Sequence, residues 1–260
     1  MRRPLTSQAR LTPATQTPSI AMGQRLRVGL VATSCATLVL APVMAPSAQA
    51  ASSGVSSVSA PTSNCRTQVP GLKASFTRQI KANSSQVVVV RGNSKRAWHN
   101  RVQYWQKSNG CWNKVRGVAG RNGITGWNRK PTDGSGLSPI GVYTLTDAGG
   151  RLRNPGTRLP YHYGPQAYDR GGYRMNNKRV QVFDYLVAIN FNRFPGSKPH
   201  DLRRPDPTIK DGGIWFHVRG SGPTRGCVSV KRSQMKWTLR WLRPAAHPTI
   251  VMGPKQTLSG

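Results

Sequence analysis

Cys227 and His217 are the side chains of this sequence whose types and spacing best suit nucleophilic chemistry. His217 lies near the end of the apolar run Gly213-Ile214-Trp215-Phe216-His217-Val218. A loop rich in glycine and proline follows, and Cys227 then stands behind Gly226 and ahead of Val228-Ser229-Val230. Acyl transfer through a thiol needs a base to form the thiolate and donors to hold the oxyanion. His217 has the right ordinary pKa for the base. Arg219 and Arg225 bring positive charge, which favours a thiolate. Gly226 lets backbone approach a substrate closely. A cysteine ten residues after a histidine is in itself a weak pattern. The plain alternatives are a disulfide from Cys227 to Cys65 or Cys111, and a core histidine with a satisfied ring.

The elements that must position these residues read as mainly β. Val87-Val88-Val89-Val90 is a short buried strand. Val102, Tyr104 and Trp105 belong to a second, and Ser108-Asn109-Gly110 turns it into Cys111-Trp112. Gly141–Leu145, Gln181–Phe183, Leu186–Ile189, Gly213–Val218 and Thr249–Met252 are further strands. Residues 149–179 read as a long surface excursion. The spacing of Met235, Leu239 and Leu242 predicts one helix in the C-terminal half, stopped by Pro244. Many short strands and one helix indicate a β-sandwich or barrel-like domain over 86–254, with a tail at 255–260.

Ahead of the domain, Arg25 and Arg27 precede an apolar run from Val28 to about Pro46, and Ala48-Gln49-Ala50 offers small residues for cleavage. Residues 1–50 therefore read as a signal peptide of a secreted protein, with an uncleaved anchor as the alternative. Residues 51–85 read as a flexible tether and N-terminal extension. The chain from residue 51 holds 34 Lys and Arg against seven Asp and no Glu, a formal charge of +27. Such an excess attracts polyanions. Export argues against nucleic acid and leaves anionic wall polymers, membrane surfaces and carboxylate-rich peptides as candidates, and no zinc-finger or RNP-like signature occurs. Cys65, Cys111 and Cys227 remain after cleavage, so at least one stays free or bonds between chains. His99, His162, His200 and His247 are scattered without metal-ligand spacing.

Ile214-Trp215-Phe216-His217, followed by Thr224-Arg225-Gly226-Cys227-Val228, resembles the signature of the YkuD-type L,D-transpeptidases. The likeness extends to Asp133-Gly134 through Pro139, Gly141 and Tyr143, to Ala188-Ile189-Asn190-Phe191-Asn192, and to Trp241-Leu242-Arg243-Pro244. It spans about residues 86–254. The sequence departs from the family pattern in having Arg225 where many members carry His, Val218 where many carry Gly, and Ser229 where many carry Arg or Asn.

The resemblance implies a YkuD catalytic fold and a peptidoglycan transpeptidase that forms 3→3 cross-links. Cys227 would be the nucleophile, passing through a thioacyl intermediate, and His217 the base and then acid. Thr224 and Gly226 would line the oxyanion region. Arg225, Arg219 and Tyr143 would help bind stem peptides. Arg219 or Ser221 would orient His217. The resemblance implies no cofactor or metal, and it implies acylation of Cys227 by carbapenem-type inhibitors. With Cys227 assigned to catalysis, Cys65 and Cys111 are expected to pair. The alternatives are an L,D-carboxypeptidase, with water as acceptor, and a non-catalytic basic wall-binding protein.

Overall fold

The computed structural model describes residues 65–169, 172–175 and 178–260. The leader and the first part of the tether lie outside the described residues. Fourteen strands are described: β1 (Gln86–Gly92), β2 (His99–Ser108), β3 (Cys111–Arg121), β4 (Gly126–Asn128), β5 (Leu137–Pro139), β6 (Gly141–Thr144), β7 (Ala148–Gly150), β8 (Tyr161–Tyr163), β9 (Gly172–Met175), β10 (Lys178–Gln181), β11 (Leu186–Ala188), β12 (Trp215–Val218), β13 (Val228–Val230) and β14 (Thr249–Pro254). Helices α1 (Ala74–Thr77), α2 (Arg232–Trp241) and α3 (Lys255–Leu258) complete them, with a 3-10 turn at Pro244–Ala246. Ten strands form one curled mixed sheet in the order β6-β14-β1-β2-β3-β13-β12-β11-β7-β8. The expected mainly β, barrel-like class therefore takes the form of one long sheet wrapped round a core.

Local chemistry explains the elements nearest the site. Val87 to Val90 are wholly buried because β1 lies inside the sheet, between parallel β14 and antiparallel β2. A continuous apolar run suits a strand covered on both faces. The β2–β3 hairpin turns on Asn109 (φ 48°) and Gly110 (φ 78°). Two successive positive φ values are what an Asn-Gly hairpin turn needs. Helix α2 buries Met235, Thr238 and Leu239, and Thr238 hydrogen-bonds the buried Tyr104 hydroxyl at 2.7 Å.

Two stretches differ from the sequence expectation. Gln181–Phe183 is not a central strand. Gln181 ends β10, which pairs only with β9 among the described strands, and Phe183 lies in the turn beyond it. Within the expected surface excursion at 149–179, β7 and β8 join the main sheet instead. At the ends of the domain, Val69, Leu72 and Phe76 from the N-terminal extension and Leu258 from the tail are all buried in the main core. Lys73 N donates to Leu258 O at 2.8 Å and ties the two ends together.

Cys65 and Cys111 form a disulfide across 46 residues, leaving Cys227 free. The bridge fastens the N-terminal segment to the start of β3. Closing a loop of that length stabilises by about 4 kcal/mol on chain-entropy grounds. The Cys65→Ser/Cys111→Ser variant is expected to lose stability on that order in urea unfolding, with Cys227 reactivity retained.

Candidate active site

Strands β12 and β13 are parallel neighbours, with Phe216 opposite Val228 and His217 opposite Ser229. Side chains alternate along a strand, so Trp215, His217, Cys227 and Ser229 share one face. Phe216, Val218, Val228 and Val230 take the other and enter the main core with Met235 and Leu239 of α2. The apolar residues around the reactive pair thus fix its orientation: burying Val228 towards α2 turns Cys227 the opposite way.

Cys227 and His217 line the same cavity of about 400 Å³, together with Val182, Phe183 and loop residues 220–225. Trp215 N donates to Cys227 Sγ at 3.3 Å. His217 is buried, and its Nδ1 donates to Val218 O at 2.8 Å. A carbonyl can only accept, so the proton sits on Nδ1 and Nε2 is the unprotonated nitrogen. The group that orients the imidazole is thus the Val218 carbonyl rather than Arg219 or Ser221. Phe183 packs edge-on against both His217 (5.1 Å) and Trp215 (4.7 Å). The turn that removed Phe183 from the sheet makes it a wall of the site.

The loop from 219 to 227 is held at both ends. Arg219 N donates to Val230 O, and Thr224 N donates to Asn122 O. Ile124 N donates back to Thr224 O, forming a short parallel bridge. Thr224 Oγ1 donates to Cys227 O at 2.5 Å and accepts from Gly226 N at 3.2 Å. Ser138 Oγ donates to Gly226 O at 2.6 Å and accepts from Gly123 N. Gly226 is required here. Its φ is +132°, and an added Cβ would lie 3.0 Å from Leu137 O. Thr224 and Gly226 therefore shape the turn that presents Cys227, and the Gly226 amide is engaged within that turn rather than aimed at substrate.

Arg121, on β3 opposite Ser229, was not singled out from sequence. Its Nη1 donates to the carbonyls of Gly220 and Gly222, each at 3.1 Å, and to Ser221 O. Its guanidinium also lies over Trp98. The small Ser229 leaves room for a long side chain on the next strand to reach the loop. Arg121→Ala is expected to release the loop, and limited proteolysis should then cut between residues 219 and 225 several-fold faster than in the wild-type protein.

The remaining candidates are spread out. Arg225 lines the cavity and is exposed, whereas Arg219 is not among its lining residues. Tyr143 is on β6, at the far end of the sheet order from β12, packed against Phe191 with its hydroxyl donating to Ile140 O. It is absent from the cavity lining. A half-buried strand tyrosine has the same sequence signature as a groove tyrosine.

Charge works differently from the expectation of a thiolate held by arginine. Burial pushes the Cys227 thiol up to about 11; the Trp215 N–H opposes this and the Asp211 carboxylate adds to it. Burial pulls the His217 imidazole down to about 4, against backbone carbonyls of Val218 and Val182 that favour the charged ring. The resting pair at neutral pH is a thiol beside a neutral imidazole. Asp211 is itself raised to about 6, first by burial, with the Gly212 N–H opposing and Asp133 adding to the rise. Arg204 pairs with Asp133 and holds that carboxyl below its ordinary range. Asp211→Asn removes negative charge near the thiol, so Cys227 alkylation by iodoacetamide at pH 8–9 is expected to speed up.

Among the described residues no group of three or more His, Cys, Asp or Glu could hold a metal ion. The model of the YkuD L,D-transpeptidase catalytic domain matches residues 99–251, more than half of the chain. No curated protein matches. Two solved structures are similar. One is Bd1075 of Bdellovibrio bacteriovorus, at 15% identity and TM-score 0.37, covering 72% of this chain and 51% of that one. The other is the helical cell shape determining protein Pgp2 from Campylobacter jejuni, at 14% identity and TM-score 0.40, covering 68% and 50%. The chain thus spans about half the length of both. On the family match over residues 99–251, the chain belongs to the YkuD family of L,D-transpeptidase catalytic domains.

Proposed function

We propose that the protein is a wall-located L,D-transpeptidase that forms 3→3 cross-links between peptidoglycan stems. The observation that carries this reading is the placing of free Cys227 and Nδ1-anchored His217 on one face of adjacent strands, lining one cavity. His217 Nε2 takes the thiol proton as Cys227 Sγ attacks the amide carbonyl after the diamino acid of a tetrapeptide stem. The tetrahedral intermediate collapses, the amide C–N bond breaks, and the His217 proton goes to the departing D-Ala amine. A side-chain amine of a second stem then attacks the thioester. His217 accepts the proton from that amine, the C–S bond breaks, and the thiol is restored with its proton.

The neutral resting pair suits this cycle, because charge develops only when substrate is seated and need not be held beforehand in a buried site. Mass analysis of products from purified protein and a disaccharide-tetrapeptide donor tests the proposal. A cross-linked dimer with loss of D-Ala is expected, and intact mass should show one carbapenem adduct on Cys227. A tripeptide product without dimer would assign the protein as an L,D-carboxypeptidase. Neither product nor adduct would leave a wall-binding protein.

A further inference from the structure

The acidic residues of the described chain are confined to one stretch. All seven Asp lie between Asp133 and Asp211. Residues 65–132 and 212–260 hold 22 Lys and Arg and no acid. The fold keeps those two segments together: β14, β1, β2, β3 and β13 are contiguous in the main sheet and come wholly from them. The ion pairs gather instead on the acid-bearing part, at Arg151–Asp184, Arg193–Asp147, Arg203–Asp201 and Arg204–Asp133, with Arg232 reaching across to Asp184. Positive charge is therefore segregated in space as well as in sequence.

Register shows where that charge meets the cavity. Arg91 on β1 lies directly opposite Arg101 on β2, and His99 lies opposite Arg121 on β3. Arg121 is in turn opposite Ser229, and Ser229 opposite His217. Directly opposed residues share a face, so this basic row lies on the same face of the sheet as Cys227 and His217. Like charges placed directly opposite are unfavourable in a sheet, and no carboxylate is supplied by these strands. Arg91 is held by Gln103, Pro70 O and Gly71 O, and Arg121 by the loop. Arg101 is exposed, as are Lys95 and Arg96 in the connection between β1 and β2. Trp98 stacks on His99 beside them, at 3.7 Å.

We propose that the acid-free surface formed by Arg101 on β2 and by Lys95 and Arg96 in the adjoining β1–β2 connection docks a linear phosphodiester polymer of the cell wall. A polyanion matches exposed cations carried on strands that supply no carboxylate. The wall location rests on the function proposed above; the binding surface does not rest on the chemistry. The polymer is therefore tested on Cys227→Ala protein, where loss of acyl transfer cannot be confused with loss of docking.

The probe is lipid-free poly(glycerol phosphate), titrated at 50 and 200 mM salt. Binding that weakens steeply with salt is expected, together with a rise in Tm on saturation. The triple variant Arg101→Ala/Lys95→Ala/Arg96→Ala should bind at least about tenfold more weakly and show a salt slope lower by about 2–3. The control triple Arg158→Ala/Lys198→Ala/Lys210→Ala removes the same charge from the acid-bearing part and should change binding less than twofold. Equal losses in the two triples would mean net charge alone and overturn the site. So would no binding at 50 mM salt. Tighter, Arg101-dependent binding to phosphatidylglycerol vesicles would reassign the face to a membrane surface and also overturn it. Circular dichroism of both triples confirms the fold before affinities are compared.

Discussion

Cys227→Ala is expected to lower acyl transfer by about four orders of magnitude or more, with no change in fold. In the proposed cycle the thiol sulfur bonds the acyl group, so no neighbour can replace it; Sγ accepts one bond, from Trp215 N, and the loop carrying it is held by others. Thr224 Oγ1 binds the Cys227 carbonyl, and Ser138 Oγ binds that of Gly226. His217→Gln should cost almost as much, and the double variant little more, because the two residues act as one unit. Cys227→Ser is the sharper version, since it keeps volume and polarity while losing the nucleophile. An activity within tenfold of wild type in either Cys227 variant, measured by release of D-Ala, would remove the residue from the mechanism.

The neutral resting pair also fixes pH behaviour. Alkylation of Cys227 in the substrate-free protein should climb through the alkaline range towards about pH 11, without a plateau near neutrality. Stability responds at both ends. The folded imidazole refuses a proton until about pH 4, whereas the unfolded one takes it up near its ordinary 6.5, so stability falls as pH drops through that window. The folded thiol keeps its proton to about pH 11, whereas the unfolded one loses it near 9, so stability also falls as pH rises between those values.

The largest effect on stability is expected from Asp147→Ala. Asp147 and Arg193 form an ion pair at 2.9 Å in which both side chains are almost fully buried (4% and 1% exposed). The same carboxylate accepts from Gly196 N at 2.9 Å and Thr146 Oγ1 at 2.6 Å. Arg193 also donates to Asn190 Oδ1 at 2.6 Å and to Ser197 O. Removing the carboxylate leaves a buried guanidinium without its counter-charge, which costs about 3–5 kcal/mol. For a domain of this size that corresponds to a Tm about 10 °C lower. The double variant Asp147→Leu/Arg193→Met removes both charges and should recover much of the loss. Chemical denaturation of the three proteins would show it, and an Asp147→Ala protein as stable as wild type would contradict the account.

The parts of this molecule legible in sequence are those written in local pattern. The Asn109-Gly110 turn, the apolar run into β12, the spacing of α2 and the Thr-x-Gly-Cys turn each carry their own signal. What was not legible depends on which strand lies beside which. Arg121 matters because β3 lies next to β13, and the two are separated by more than a hundred residues. Val218 contributes a carbonyl, which any residue type would supply. Asp211 acts through space on a thiol it does not adjoin in sequence. Phe183 misled because a β-prone aromatic in a turn looks the same as one in a strand. The N-terminal extension is low in complexity before Cys65, while Val69, Leu72 and Phe76 are too few and too irregularly spaced to announce that they enter the core.

The loop joining β12 to β13 separates two jobs that most active sites combine. Strand register sets where His217 and Cys227 stand, while the span from Gly220 to Pro223 contributes cavity wall, with the carbonyls of Gly220, Ser221 and Gly222 held by Arg121. Main-chain anchoring is indifferent to side-chain identity. Substitutions at Gly220 or Gly222 can therefore reshape the pocket while His217 and Cys227 keep their places on the strands. Such a segment is the place to build libraries when the shape of the pocket is to be varied.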